Sequence, residues 1–342
     1  MPEPIQCLPP PSPGLDPRSS VLADLRAGVR DLSLRGEDLS GADLSGCDLS
    51  GVDFSGVDLS GADLSGSRLL KASFVGARLC EASFDGSECL GADFSGADLV
   101  ACSAERAGFG GANFAGASLS QSKLAGATFS HASLCQADLR AATLTGARLL
   151  EVDLKQADFT RADLQGVDLA GSQVGEASFQ NADLRDARLQ GVCGYEEANW
   201  IGADIREVNF CGAYLVRRHI MDENYLFEFR HKSRLSEVVY QVWRLTSDCG
   251  RSFQRWGILT SALVVAFALL YGYVGLDTGH HQAGFLSDLY FSVVTMTTLG
   301  YGDVLPRTGL GQVLVIVQVV CGYLSLGGLL SIFGNKMSCR AG

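Results

Sequence analysis

The sequence is short of positive charge: 27 Lys and Arg face 38 Asp and Glu, for a formal net charge of -11 at pH 7. A chain this acidic lacks the basic footprint that nucleic-acid binding requires, so no nucleic-acid partner is expected. It also lacks paired cysteines. Eleven are present, but none forms a Cys-x-x-Cys pair and no His stands at metal-ligand spacing. That leaves no zinc motif and no disulfide framework, and the scattered thiols suit a reducing compartment, where Cys serves as a small apolar filler. No basic stretch followed by an apolar run opens the chain. Met1 to Asp16 is proline-rich, which excludes a secretory signal of the usual kind and reads as disorder over residues 1–18. No nucleophile has a His or Asp partner that the sequence places nearby, and His131 stands alone. An enzyme is not expected, and neither is a cofactor.

What is present changes along the chain. The first two thirds are built from Ala, Leu, Asp, Ser and Gly, and the last quarter from Val, Leu, Gly and aromatics. From Leu34 to Leu189 large apolar residues recur every five positions in one phase (Leu39, Leu44, Leu49, Phe54, Leu59, and so on), with a small residue two positions earlier (Ala42, Val52, Ala62). Period five fits neither a helix nor a plain strand, and points to a solenoid whose units turn corners. The pattern resembles the pentapeptide-repeat family. That resemblance implies a right-handed, four-sided parallel β-helix over residues 34–215, with the central Leu or Phe and the preceding Ala pointing inward. The 32 units between Leu34 and Leu189 would make about 8 coils, a rod roughly 40 Å long at the usual strand spacing. Cys89 and Ala104 stand at central positions, where the stack should be thinner. The phase slips by one residue between Val192 and Glu197, read as a bulging loop, and resumes at Trp200, Ile205, Phe210 and Leu215.

A solenoid needs capped ends. Residues 19–33 read as a capping helix, with Ser19 or Ser20 as its N-cap and Leu22, Leu25 and Val29 covering the first coil. Residues 216–255 interleave Arg and Lys with aromatics, and Leu235, Val238, Val239, Val242 and Leu245 follow helical spacing. This connector reads as a basic amphipathic helix lying on an anionic bilayer surface.

Two stretches are long and apolar enough to cross a bilayer, residues 257–275 and 310–334. Trp256, Tyr271 and Tyr273 stand where interfacial aromatics belong. Arg251 and Arg255 precede the first span, Lys336 and Arg340 follow the second, and the loop between them holds Asp277, Asp288 and Asp303 against Arg307. Both termini, with the short tail 338–342, are therefore expected in the cytosol, the loop outside, and the chain in a plasma or bacterial inner membrane. No spanning segment is Arg-rich, which excludes voltage sensing of the Arg-helix kind. His280 and His281 read as a solvated turn.

Inside that loop a short apolar helix over 286–296, capped by Ser287 or Asp288, leads to Thr297-Thr298-Leu299-Gly300-Tyr301-Gly302-Asp303. Successive backbone carbonyls can replace an ion's water shell if glycines let the chain turn each one to the same side. The segment Thr295 to Asp303 resembles the filter signature of the two-helix potassium channels. The resemblance implies that Thr298, Leu299, Gly300 and Tyr301 present carbonyls to K+ as the permeant ion over the filter 298–303. Asp303 would stand at the outer mouth and the Tyr301 ring would set the pore diameter. Leu299 stands where Val or Ile is commoner, with its side chain expected against the pore helix. Val294 replaces a Glu found in some members, which makes Tyr290 the candidate donor to Asp303, with Thr297 also supporting the filter. Gly322 matches the inner-helix hinge by spacing; close helix packing is the competing reading. Two spans cannot enclose a pore, so a homotetramer in the bilayer is implied. The fold class is thus a β-solenoid plus an α-helical two-span pore-loop domain at 256–337. The function expected is a K+-selective channel whose repeat domain regulates it or binds an unidentified cytosolic partner. The alternative is a membrane-tethered pentapeptide scaffold or an acidic mimic of DNA.

Overall fold

The computed structural model describes residues 17–29, 34, 37–250, 252–277 and 284–338. Of the stretch 1–18 expected to be disordered, residues 1–16 lie outside the described residues, as do the His280-His281 turn, Arg251 and the tail beyond Ser338, while Pro17 and Arg18 are helical rather than disordered. Contacts divide the chain into two units, Met1–Leu226 and Phe227–Gly342.

In the first unit the period of five becomes a β-solenoid with four pentapeptides per coil. Parallel bridges join residues twenty apart, as Asp38 to Asp58 and Asp43 to Asp63, as far as Gln173 to Cys193. Each unit contributes one bridge residue and then turns. The second residue after each central side chain takes positive φ, with Gly46 at 64° and Gly51 at 73°. Where glycine is absent there the backbone still does so, as at Glu81 (60°) and Gln121 (60°). Many corners are pinned by the Asp before the central residue. Asp38, for example, accepts from the Ser40 backbone N–H at 2.9 Å, and Asp58 accepts from both the N–H (3.0 Å) and the hydroxyl (2.6 Å) of Ser60. These bonds, the Ser60 hydroxyl first, hold the Asp58 carboxyl below the usual carboxylate range. The acidic surface is therefore largely turn chemistry.

The interior is a set of columns. Phe54, Phe74, Phe94 and Phe114 stack ring on ring at 5.1, 4.8 and 4.7 Å. Phe159, Phe179 and Trp200 form a second column at 5.2 and 4.3 Å. The coil rise forces this face-to-face spacing on rings that would otherwise prefer offset or edge contacts. Serines at the small inward position survive burial by donating to backbone: the hydroxyls of Ser67 and Ser122 reach Leu64 O and Leu119 O at 2.6 and 2.7 Å. Cys89 and Ala104 remain fully inside. Burial pushes the thiols of Cys89 and Cys102 up to about 12, so they behave as apolar fillers. The slip between Val192 and Glu197 shows as a change of bridge spacing from twenty to twenty-one, at Ser178 to Asn199.

Both ends are capped. Helix α1 (Pro17–Arg26) starts before Ser19 and Ser20, so neither is its N-cap. It seats Leu25 fully in the core, while the Arg26 guanidinium donates to Asp43 O at 2.6 Å. Val29 lies past the helix end and is 42% exposed, so it does not cover the first coil. At the other end the repeat stops at Phe210. Leu215 is not a central residue of a further unit, because it lies in helix α2 (Tyr214–His231) and is 58% exposed. Val216 and Ile220 on α2 are buried in the solenoid core, and the Asn224 side chain donates to Trp200 O and accepts from Gly202 N–H. The expected single connector helix is thus two helices, and the start of the first is a lid.

The second unit holds α3 (Arg234–Ser247), α4 (Phe253–Val274), β1 (Leu276–Asp277), α5 (Phe285–Met296), β2 (Leu305–Pro306) and α6 (Gly309–Ser338). Ser233 and Ser236 form a capping box at the start of α3, and Asp248 ends it at φ 53°. Strands β1 and β2 pair antiparallel and so fasten the two ends of the loop.

Candidate functional site

Helices α4 and α6 offer 22 and 26 residues of apolar length, enough for a ~30 Å hydrocarbon layer at ~1.5 Å per residue. α4 begins at Phe253 rather than residue 257, because the Ser252 hydroxyl caps it by accepting from Arg255 N–H at 3.3 Å. α6 runs on to Ser338. Between them, α5 starts at Phe285 with Gly284 at its N-cap and no side-chain cap. Ser287 and Asp288 are thus inside its first turn, with their N–H groups on Gly284 O. Asp288 there faces the positive end of the helix dipole.

The end of α5 runs straight into the glycine motif. Thr297 N–H and hydroxyl both donate to Val293 O, at 2.9 and 2.8 Å, and Leu299 N–H donates to Val294 O at 3.0 Å. Beyond this the backbone alternates: Thr298, Gly300 and Gly302 have φ of 59°, 53° and 76°, while Leu299 and Tyr301 between them do not take positive φ. Alternating the sign of φ turns peptide planes that would point to opposite sides in a strand toward one side. Glycine accepts this freely; a β-branched Thr at positive φ is strained by about 1–3 kcal/mol, a cost found at functional segments. The glycine spelling pointed to positions 300 and 302; the third left-handed residue, Thr298, carries no signal in its residue type.

The supporting residues come together in part. The Tyr290 hydroxyl donates to Asp303 Oδ2 at 2.7 Å, the pairing considered once Val294 was seen to bring no carboxyl. Val294 is 7% exposed, packed within the unit. Leu299 is 59% exposed and Tyr301 66% exposed, so neither side chain is covered within one chain, and Leu299 does not lie buried against α5 as expected. A cavity of about 410 Å³ opens at the Thr298 end of the segment, walled by Trp256, Met296, Thr297, Thr298, Gly322 and Leu326. Irregular backbone at membrane depth therefore borders a cavity, the setting in which it is tolerated.

Gly322 lies within the unbroken helix α6, and a Cβ there would collide with the Met296 carbonyl oxygen at the end of α5. The geometry gives this glycine a packing role, close approach of α6 to the C-terminal end of α5, whatever bending it also allows. Gly328 is similar: a Cβ would strike the Trp256 ring, whose indole N–H donates to Ser325 O at 3.0 Å. Trp256 is thus a helix–helix contact as well as an end-of-span aromatic. Tyr271 departs from its expected interfacial place altogether, being fully buried, whereas Tyr273 is 91% exposed. On α3, Leu235, Val238, Val242 and Leu245 form an exposed apolar face. Arg230 bonds Glu237 at 2.9 Å; Gln241 first and Arg230 next hold that carboxyl below its usual range. No cluster of three metal-ligating side chains occurs among the described residues.

Comparison with known proteins matches both halves. Five stretches covering residues 33–100 and 105–193 fit the pentapeptide-repeat family model, and residues 259–338 fit the ion channel family model. Two-pore potassium channel 1 of Arabidopsis thaliana is 38% identical over 76 residues, 22% of this chain and 21% of that protein. Two-pore potassium channel 4 of the same plant is 35% identical over 122 residues, 33% of this chain and 39% of that one. The chain thus spans about a fifth to two fifths of those relatives. Among solved structures, HetL, a pentapeptide-repeat protein of the cyanobacterium Nostoc sp. strain PCC 7120, is 26% identical, with 56% of this chain and 94% of that chain covered at a TM-score of 0.31. The chain joins a pentapeptide-repeat β-solenoid to a two-span ion-channel domain. That domain is similar to the corresponding part of potassium channels, and its two apolar helices fit a membrane protein.

Proposed function

We propose that the chain is one subunit of a homotetrameric, K+-selective channel that conducts through the backbone carbonyls of Thr298, Leu299, Gly300 and Tyr301. The observation that carries this reading is the alternation of φ from Thr298 to Gly302, directly after the C-terminal end of α5. The negative end of that helix dipole favours a cation at the same place. Four copies around one axis would complete the pore and cover Leu299 and Tyr301. Basic residues flanking the spans favour cytosolic termini in a plasma or bacterial inner membrane. The exposed apolar face of α3 suits the bilayer surface, and the solenoid acts from the cytosol as a regulatory or partner-binding domain.

The test is the reversal potential of the purified protein in a lipid bilayer with K+ on one side and Na+ on the other. The expected result is a potential near the K+ limit that is lost in Gly300→Ala, since Ala is strained at that φ. A folded tetramer that carries no K+ current, or one that does not prefer K+, would overturn the proposal.

A further inference from the structure

The pore helix is tied to both spanning helices by one saturated polar network. The Tyr271 hydroxyl on α4 donates to Gln318 Oε1 on α6 at 2.7 Å. Gln318 Nε2 donates to Ser292 O at 3.0 Å and to Ser292 Oγ at 2.6 Å, both on α5. The Ser292 hydroxyl in turn donates to Val264 O on α4 at 2.7 Å. Tyr271, Ser292 and Gln318 are each 0% exposed. The amide orientation follows from the partners: Ser292 O can only accept, so Nε2 must face it and Oε1 is left for Tyr271. Gln318 lies nine residues into α6, about 14 Å along the helix and so near mid-bilayer if that helix spans. A buried amide at that depth is costly unless every hydrogen bond is made, and here both protons and the oxygen are used.

The contact continues along the pair of helices. One turn further, Gly322 meets the carbonyl of Met296, so Gln318 and Gly322 on α6 face Ser292 and Met296 on α5 at the same i, i+4 spacing. The next carbonyls of α5, Val293 and Val294, accept from Thr297 and Leu299 at the start of the filter. We propose that Gln318 is a positioning residue for the filter: its amide fixes the seat of α5 on α6 and α4, and through α5 fixes the backbone of residues 297–299. This rests on the channel reading for what the filter does, though not for the packing itself.

The experiment uses the full-length protein reconstituted in lipid, as Gln318→Leu, Tyr271→Phe and the double variant. The K+/Na+ permeability ratio and amide hydrogen exchange over residues 292–299 are measured for each. Loss of interhelical hydrogen bonds of this kind should lower the ratio and speed exchange in Gln318→Leu by about ten-fold. The exchange change should be confined to the end of α5 and the filter base. The double variant should be no worse than Gln318→Leu, because Tyr271 acts through the same amide and its unpaired hydroxyl is removed with it. Native permeability and exchange in a tetrameric Gln318→Leu would overturn the proposal, as would exchange rising throughout α4 and α6. If the unaltered protein carries no K+ current while the local exchange change appears, the channel reading fails and the positioning role stands. If it is selective and the variants match it, the reverse holds.

Discussion

Replacing Tyr290 by Phe removes the hydroxyl that donates to Asp303 at 2.7 Å while keeping the ring in place. A hydrogen bond to a charged acceptor contributes about 1.5–3 kcal/mol when shielded. In a single chain Tyr290 is 37% exposed and Asp303 is exposed as well, so water screens the bond and its contribution falls below that range. The bond ties the Asp303 end of the proposed filter to α5, and no other such tie comes from position 294, which is Val. Loss of this bond should shift the equilibrium between a conducting and a collapsed state of the proposed filter by a few-fold. The assay is the decay of K+ current under sustained opening, compared with Asp303→Asn and with the double variant. Tyr290→Phe should speed decay several-fold, and the double variant should add little to Asp303→Asn because the two groups form one contact. A decay rate within two-fold of native, or effects of the two substitutions that simply add, would refute the reasoning.

Phe94→Ala should be among the most damaging changes in the solenoid. The ring stacks on Phe74 and Phe114 at 4.8 and 4.7 Å and meets Phe84 and Phe109 edge-on at 5.7 and 5.8 Å. Burial of this kind is worth roughly 3–5 kcal/mol, or about 10 °C in the melting temperature of a domain this size; Val75→Ala, at a site 41% exposed, should shift it little. Acid should loosen the same domain. Asp43, Asp58, Asp138, Asp183 and Asp204 are held below their ordinary values, by the Ser45 and Ser60 hydroxyls in the first two and by Arg140, Arg185 and Arg206 in the others. A carboxyl depressed on folding stabilises above its unfolded value of about 3.9 and loses that contribution as pH falls through its folded value. Melting should therefore be steady from pH 7 to about 5 and fall below about pH 4; a midpoint unchanged at pH 3 would contradict it. Deleting residues 1–232, a cut between α2 and α3 that takes the whole lid, should alter open probability; unaltered gating would overturn the proposed regulatory role of the solenoid.

Much of this was legible because two signals are strict. A period of five over Leu34 to Leu189 has no helical or plain-strand solution, and Gly300 and Gly302 between two apolar spans name a backbone conformation. What stayed hidden depends on which way a side chain faces when its type permits both. Val216 and Ile220 are only two apolar residues among Arg217, Arg218 and His219, too sparse a pattern to mark α2 as a lid, although the solenoid's need for an end cap was a reason to look there. Tyr271 and Tyr273 are two residues apart at one end of an apolar helix; about 200° of rotation separates them, and only packing makes the first interior and the second exposed. Gln318 carried a usable signal, since an amide inside an uncharged spanning run must find partners within the protein. Composition says that such partners exist and never which they are; Ser292 and Tyr271 emerge only once α4, α5 and α6 are packed. The residues proposed to hold the filter are for this reason the ones least visible in a motif, and the glycine spelling alone does not describe the site.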